Sequence, residues 1–475
     1  MTHPPQELDW RTLPLGGTAL IEASAGTGKT WNIALLHLRL LIEGGLTVRQ
    51  ILVTTFTDAA ADELKARIRL RLLDAERLGV ALTQGLPIAD AERELADFIA
   101  ARMQIEPGDA LLARLRLALT DVDLAPISTI HSFCRRVLTD FPFDTGVAFT
   151  LGEVVDEPAL VRECVEDWWR HSFLGDEVDP WHAALVLPQG LDALASRVNA
   201  LIGAPQARLL QPETAPLRQW WARFVTADHG ALSAAVADGS AFKDAERSAL
   251  RKGLRKLLQA AARGVPDGVP WSGLAELLED AKIARAWKQS PTTPFIDRPE
   301  FKALIAAREL FAGAELAIVH EAACSCASFT HGELRQRLSS RGQSSFSQWI
   351  AEVHDRLLGE RGDALAARLA EAWPAALIDE FQDTDARQWA IFQRLYRDPA
   401  RTLILIGDPK QSIYAFRGGD IHSYLAAREQ LPAARVYSIQ RNYRSHPELL
   451  AALNNLYELA APVAFGASGI DYVAV

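Results

Sequence analysis

Four short, largely apolar runs, Thr18 to Ala23, Ile51 to Thr54, Ala375 to Ile378 and Thr402 to Ile406, set the frame of the chain. Runs of this length and hydrophobicity predict strands buried on both faces, as in a parallel sheet. Thr30 to Ile42 has helical spacing and Ala59 to Leu78 reads as a long amphipathic helix, so the N-terminal part follows a βαβα order. From about Pro142 to Phe329 the pattern changes to helical segments rich in Ala, Leu and Trp. They are broken by clusters such as Gly264-Val265-Pro266-Asp267-Gly268 and Pro291-Thr292-Thr293-Pro294. An inserted helical domain is expected there, with the sheet completed only after it. The tryptophan pairs Trp168-Trp169 and Trp220-Trp221 are expected to pack in the core of that domain.

The chain has 475 residues, 49% of them hydrophobic, which is enough for roughly two to four domains. No charged-then-apolar leader occupies Met1 to Arg11 and no uninterrupted apolar run is long enough to cross a bilayer, so a cytoplasmic protein without membrane partners is expected. Cys134, Cys164, Cys324 and Cys326 are too few and too scattered for a disulfide framework, and Cys324-Ser325-Cys326 has no second pair to complete a zinc site. The net charge of −10 argues against a basic footprint over the whole surface, although a local groove is compatible with it. The basic run Arg251-Lys252-Gly253-Leu254-Arg255-Lys256 follows Asp244 and Glu246 and reads as a solvated helical face.

Chemistry enters at Ile21-Glu22-Ala23-Ser24-Ala25-Gly26-Thr27-Gly28-Lys29-Thr30, where a strand runs into a small-residue loop and then a helix. Backbone N–H groups around Gly26 and Gly28 can turn inward on phosphates, Lys29 can reach the β- and γ-phosphates, and Thr30 can place a hydroxyl on Mg²⁺. Ala23 stands where the usual pattern has glycine. A second centre is Ile378-Asp379-Glu380-Phe381-Gln382-Asp383-Thr384-Asp385, in which an apolar strand delivers Asp379 to a metal and Glu380 to an attacking water. A helix N-terminus rich in acids is the plainer alternative for these carboxylates. A third cluster, Gly407 to Asp420, offers Gln411 as a γ-phosphate sensor. Tyr414 and Phe416, beside Lys410 and Arg417, offer faces for bases and charges for phosphates.

Together with Thr55-Phe56-Thr57-Asp58-Ala59-Ala60-Ala61-Asp62-Glu63-Leu64, Ser128-Thr129-Ile130-His131-Ser132-Phe133-Cys134 and Arg441-Asn442-Tyr443-Arg444-Ser445, these motifs resemble those of superfamily 1 DNA helicases of the UvrD/RecB group, in order and across essentially the whole chain. The phrases Glu22 to Thr30 and Phe416-Arg417-Gly418-Gly419-Asp420-Ile421 favour the RecB branch, the beta-subunit type of exodeoxyribonuclease V, over the AddA and UvrD branches. The resemblance implies an α/β fold: a P-loop NTPase with a RecA-like parallel sheet, a large inserted helical domain and the start of a second RecA-like domain. Residues 1–141 and 330–435 would form the first motor domain (1A), 142–329 the insertion (1B) and 436–475 the opening of the second (2A).

The resemblance further implies ATP with Mg²⁺ as cofactors. Ala23, Ser24, Ala25, Gly26, Thr27, Gly28, Lys29 and Thr30 would cradle the phosphates, Thr30 and Asp379 hold the metal, and Glu380 and Gln411 act on the hydrolytic water and γ-phosphate. Tyr443 would lie near the base and Arg444 would serve as the arginine finger. Phe56, Thr57, Thr129, His131, Tyr414 and Phe416 would contact single-stranded DNA. The expected activity is a 3′-to-5′ helicase or translocase in DNA recombination and double-strand-break repair, acting on single strands and duplex ends with RecC- and RecD-like partners. Many UvrD-type relatives read adenine with a Gln upstream of the phosphate loop. Here the nearest candidate, Gln6, falls in what reads as a loose leader, so ATP rests on default. The remaining helicase motifs and the nuclease centre would lie beyond Val475, so an N-terminal fragment is expected. Two other classes stay in view: a nucleotide-gated single-strand-binding or assembly module with little turnover of its own, and a small-molecule kinase. The kinase would not call for Asp379-Glu380, Gln411 and Tyr443-Arg444 together.

Overall fold

The computed structural model describes residues 5–145, 152–155, 157–202, 211–239, 241–244, 247–286, 299–413, 419–439, 441–460, 470, 472 and 474. Among them, no helix is long and apolar enough to cross a membrane. The chain divides into two compact units, residues 1–154 with 342–475, and residues 155–341.

Seven parallel strands organise the first unit: β1 (Gln6–Glu7), β2 (Gly17–Ala23), β3 (Ile51–Thr55), β4 (Ile127–Thr129), β7 (Ala375–Ile378), β8 (Thr402–Gly407) and β9 (Val436–Ile439). Their order across the sheet is β1-β9-β2-β8-β7-β3-β4. A separate two-stranded parallel pair joins β5 (Glu153–Val154) to β6 (Gln343–Ser344). The apolar runs are unbroken because both faces of the sheet are covered. Ala19, Ile21, Ile51, Val53, Leu377, Ile404 and Ile406 enter one core with helices Lys29–Ile42 and Asp58–Gln84. Their neighbours Leu20, Leu52, Ala376, Ile378, Leu403 and Leu405 enter the other, with helices Ile130–Asp140, Phe346–Leu358, Ala386–Leu395 and Ile421–Gln430. The period-2 alternation of a strand thus distributes apolar side chains to both layers.

Three strands correct the expected organisation. Val436–Ile439, assigned by sequence to the opening of a second domain, lies inside the first sheet, where Tyr437 registers with Ile21 on one side and Gln6 on the other. Val436 and Tyr437 are buried, one in each of the two cores that cover the sheet, which ties this strand to the first unit. Gln6 is therefore part of the edge strand β1 and not of a loose leader. The three-residue β4 closes the opposite edge on β3.

The second unit is helical. Its limits at 155 and 341 differ from the expected 142 and 329 for two reasons. Helix Ala314–Arg341 runs unbroken through Phe329 until Gly342, where φ is 59°. At the other boundary, Pro142–Thr145 is tied to the first unit by Asp144, which accepts from Arg368 at 2.7 Å. Trp181, Trp221 and Trp271 are buried in one aromatic core with Phe311, the Trp181 and Trp271 rings lying 5.1 Å apart. Trp168 is buried in a second core, between helices Glu157–Leu174 and Ala314–Arg341. All four cysteines are free and buried. On helix Ala249–Arg263, Arg251 donates to the carbonyls of Val236 and Ala237, while Lys252, Arg255 and Lys256 are exposed.

Candidate nucleotide and nucleic-acid site

A parallel sheet brings every strand's carboxyl end to one edge, and that edge collects the motifs. Ser24 to Thr30 follow β2, Phe56 and Thr57 follow β3, and His131 follows β4. Asp379 and Glu380 follow β7, Asp408 to Gln411 follow β8, and Asn442 to Arg444 follow β9. In the phosphate loop Gly26 and Gly28 have φ of 80° and 88°, a conformation in which a side chain is strained. Thr27 is buried and its hydroxyl donates to Ser24 O at 2.7 Å, so this residue shapes the loop from within. Gly28 precedes helix Lys29–Ile42, whose first N–H groups face the loop and favour an anion there.

Lys29 Nζ lies 2.8 Å from Glu380 Oε2 and 3.0 Å from Oε1. Glu380 is the one non-glycine residue with positive φ among the described residues, at 52°. This left-handed conformation turns the chain out of β7, and Lys29 and Gln382 hold the carboxylate over the loop. Asp379 is half-buried, and its Oδ1 is a buried atom with no hydrogen-bond partner among the described residues. Burial, reinforced by the neighbouring charge of Glu380, pushes its carboxyl up to about 6. Asp383 is raised to about 6 by the same two causes. The plainer reading of these acids as a helix N-terminus holds for Asp385 alone, which caps helix Ala386–Leu395 by accepting from Gln388 N at 2.8 Å.

An oxygen donor that is buried, unpartnered and costly to ionise suits a cation, and Thr30 stands partly buried at the start of the loop's helix. Among the described residues no group of three or more His, Cys, Asp or Glu gathers as a metal cage. A hard cation at Asp379 and Thr30 would therefore take its remaining ligands from phosphate and water, as magnesium commonly does.

Gln382 is a link that sequence reading passed over. Its Nε2 donates to Glu380 Oε2 at 2.7 Å, and its Oε1 accepts from Asp408 N at 2.9 Å, joining the β7 and β8 motifs. Asp408 is buried. It accepts from Gln411 Nε2 at 2.8 Å and pairs with Lys410 Nζ at 2.9 Å, so Gln411 is held at the edge by its neighbour's carboxylate. The motif after β9 docks on the phosphate loop: Asn442 Nδ2 donates to Ala25 O at 2.8 Å and Tyr443 N to Gly26 O at 2.9 Å. Arg444 is exposed, has no acidic partner among the described residues, and lies so close to the loop that a Cβ on Gly26 would fall 2.7 Å from its own Cβ. The Tyr443 ring is exposed, with Arg441 5.2 Å above it.

The proposed nucleic-acid residues fare unevenly. Phe56 is half-buried and Thr57 exposed, its hydroxyl accepting from Ala60 N as a helix cap. Thr129 is buried and likewise caps helix Ile130–Asp140, a structural role that leaves it little contact with solvent. His131 lies edge-on to Phe346, 5.5 Å between ring centres, and burial holds its pKa below the ordinary value. Phe346 itself is 52% exposed, a large aromatic at the sheet edge that helical periodicity alone could not separate from a core residue. Tyr414 and Phe416 lie outside the described residues.

The model of the UvrD/REP helicase N-terminal domain matches residues 6–218 and 311–432. The chain belongs to the UvrD/REP helicase family. Within that family it is similar to the RecBCD enzyme subunit RecB of Escherichia coli (strain K12), 32% identical over 484 residues that cover 96% of this chain and 39% of that protein. The RecB subunit of Haemophilus influenzae is 30% identical over 94% of this chain and 40% of its own length. That of Mycobacterium tuberculosis is 30% identical over 93% of this chain and 30% of its own length. The chain thus spans less than half the length of these relatives. The fold is the α/β, RecA-like fold that the motifs implied, with every described motif on the edge where such sheets bind ligands.

Proposed function

We propose that the chain is an ATP-driven motor of RecB type that moves 3′-to-5′ along single-stranded DNA. The observation that carries this reading is the meeting, on one sheet edge, of the Gly26-to-Thr30 loop, the Lys29–Glu380 pair, Asp408-held Gln411 and the 441–445 segment. In this geometry Lys29 neutralises Glu380. A triphosphate in the loop offers Lys29 a denser negative charge, and transfer of the ammonium to it frees Glu380 to accept a proton from the attacking water. Gln382 keeps the freed carboxylate oriented, and Gln411 reaches toward the γ-phosphate. Arg444 stabilises the charge that develops on the equatorial oxygens as the bond to the leaving phosphate breaks. Thr30 and Asp379 would hold magnesium, which would supply positive charge beside the triphosphate.

The single strand would run across the Phe56, Thr57, His131 and Phe346 side of the edge. Helix Pro447–Ala460 buries none of its residues, and Leu449, Leu453, Leu456 and Leu459 form an exposed stripe along it. That stripe is suited to packing against a second motor domain whose closure on Arg444 would couple turnover to movement. RecC- and RecD-like subunits, duplex DNA ends as substrate, and a role in double-strand-break repair follow from the RecB likeness as parts of the same proposal. Streptavidin displacement from biotinylated oligonucleotides tests the direction. ATP-dependent displacement from the 5′ end and not the 3′ end is expected, and the opposite preference would refute the polarity. Tight binding of Mg-ATP and single strands without displacement or turnover would favour the second reading, a nucleotide-gated binding and assembly module.

A further inference from the structure

A cavity of about 460 Å³ opens in the first unit, away from the edge that carries the motifs. Its wall joins helix Gly362–Ala372 to the end of helix Ala386–Leu395 and the turn that leads into β8. Arg401 lines it immediately before β8 begins, so the length of that strand, about 17 Å at 3.3 Å per residue, separates the cavity from the Asp408–Gln411 cluster. The volume lies in the range of clefts that hold small ligands. Its floor is apolar and made of small side chains. Ala366, Ala367 and Ala370 share one face of their helix, and Leu395 adds to them from the neighbouring one.

Three arginines and two acids complete the lining. Arg394 is already engaged, 2.5 Å from Asp363 Oδ1 and donating through Nε to Leu357 O at 3.3 Å. Asp398 turns its carboxylate to its own loop, where Oδ1 accepts from Ala400 N at 2.9 Å. Arg397 and Arg401 are left, and neither guanidinium has a hydrogen-bond or acidic partner among the described residues. The turn between them is held in place. Arg401 N donates to Asp398 O at 2.9 Å, Arg401 O accepts from Gly17 N at 2.7 Å, and Pro399 restricts the backbone. Two arginine stems that leave a fixed backbone lose less freedom on meeting a ligand.

Unpaired guanidinium forks above an alanine floor complement a carboxylate that stands beside an aliphatic side chain. A nucleic-acid backbone is a poorer match, because it needs a track of cations, and here Asp363 and Asp398 share the lining. We infer that this cavity docks an acidic peptide segment of a partner protein, with Arg397 and Arg401 holding its carboxylates and the alanine floor taking its aliphatic side chains. The docking site stands apart from the nucleotide chemistry and needs nothing from the motor reading.

The test is fluorescence anisotropy of a fluorescein-labelled peptide of alternating aspartate and leucine, titrated with the whole chain. Versions with lysine for aspartate, or serine for leucine, should bind at least about ten-fold more weakly, since each removes one half of the match. Arg397→Glu and Arg401→Glu should each weaken the acidic peptide by about ten-fold, and Arg401→Lys by less. Ala367→Trp, at an exposed position, should fill the trough and weaken it by a similar factor without changing any charge. Melting temperatures and Mg-ATPγS affinity should stay within error in all of these variants.

Failure of the unaltered chain to bind the acidic peptide overturns the proposal. So does binding that is unchanged in Ala367→Trp, or in the two glutamate variants while they melt normally. Should the glutamate variants fold poorly, Ala367→Trp and the serine peptide still decide the matter. Displacement of the peptide by inorganic phosphate or oligo(dT) would overturn peptide docking in favour of a phosphate site.

Discussion

Replacing Asp379 by Asn should make the nucleotide-free protein more stable while removing its function. Asp379 Oδ1 is buried and the carboxyl is raised from an ordinary 3.8 to about 6, so the folded state holds its proton more tightly than the unfolded chain does. The sign follows from proton binding. Between pH 3.8 and about 6 the folded form carries the extra proton, stability falls as pH rises through that window, and the loss is complete above it. A shift of about two units corresponds to an upper bound of about 3 kcal/mol, at 1.36 kcal/mol per unit. The Asn amide brings a donor that needs a partner, at a cost of roughly 1 kcal/mol, which leaves a net gain of about 1–2 kcal/mol. For a unit of this size the corresponding rise in melting temperature is roughly 2–6 °C. Differential scanning fluorimetry in EDTA without nucleotide reads it directly. Asp379→Asn should melt higher than the unaltered chain at pH 8 and show little or no gain near pH 4. A variant that melts lower at pH 8 would refute the reasoning, because Asp379 would then be a structural acceptor and not a charge held in reserve for a cation.

Glu380→Gln should retain Mg-ATP binding but lower turnover by about 10²–10⁴-fold, the usual worth of a general base, as read in a coupled ATPase assay. Gly26→Ala should impair nucleotide binding and displace Arg444, since φ there is 80° and the new Cβ would fall 2.7 Å from the Arg444 Cβ. Restored binding in Gly26→Ala carrying Arg444→Gly would show that the clash, and not the backbone, is at fault. Gln382→Ala strands the buried Asp408 N–H and should cost about 1–3 kcal/mol in urea unfolding. Phe346→Ala should weaken oligo(dT) binding by about 1–3 kcal/mol without changing nucleotide affinity, whereas an equal loss for both ligands would mark it as a packing residue.

The four central strands were legible because burial on both faces leaves a hydrophobic run that needs no partner to be recognised. Val436–Ile439 was not, since its place between β1 and β2 depends on pairing with residues more than four hundred positions away. The two-residue β1 and three-residue β4 are too short for periodicity to register. At the site, the phosphate loop and Asp379-Glu380 announce themselves through local spacing. The bridge made by Gln382, the positive φ of Glu380 and the exposure of Phe346 are products of tertiary packing, and no local pattern encodes them. Thr57 and Thr129 illustrate the converse. Both stand in the motifs, yet their hydroxyls are engaged first as helix caps.

The central claim is that these elements form a site where ATP is hydrolysed in response to single-stranded DNA. Its most direct test is steady-state ATP hydrolysis by the chain with and without oligo(dT), beside Lys29→Ala and Glu380→Gln. DNA-stimulated turnover that disappears in both variants is the predicted result. An unaltered chain that binds no Mg-nucleotide, or turnover that survives Lys29→Ala, would contradict it.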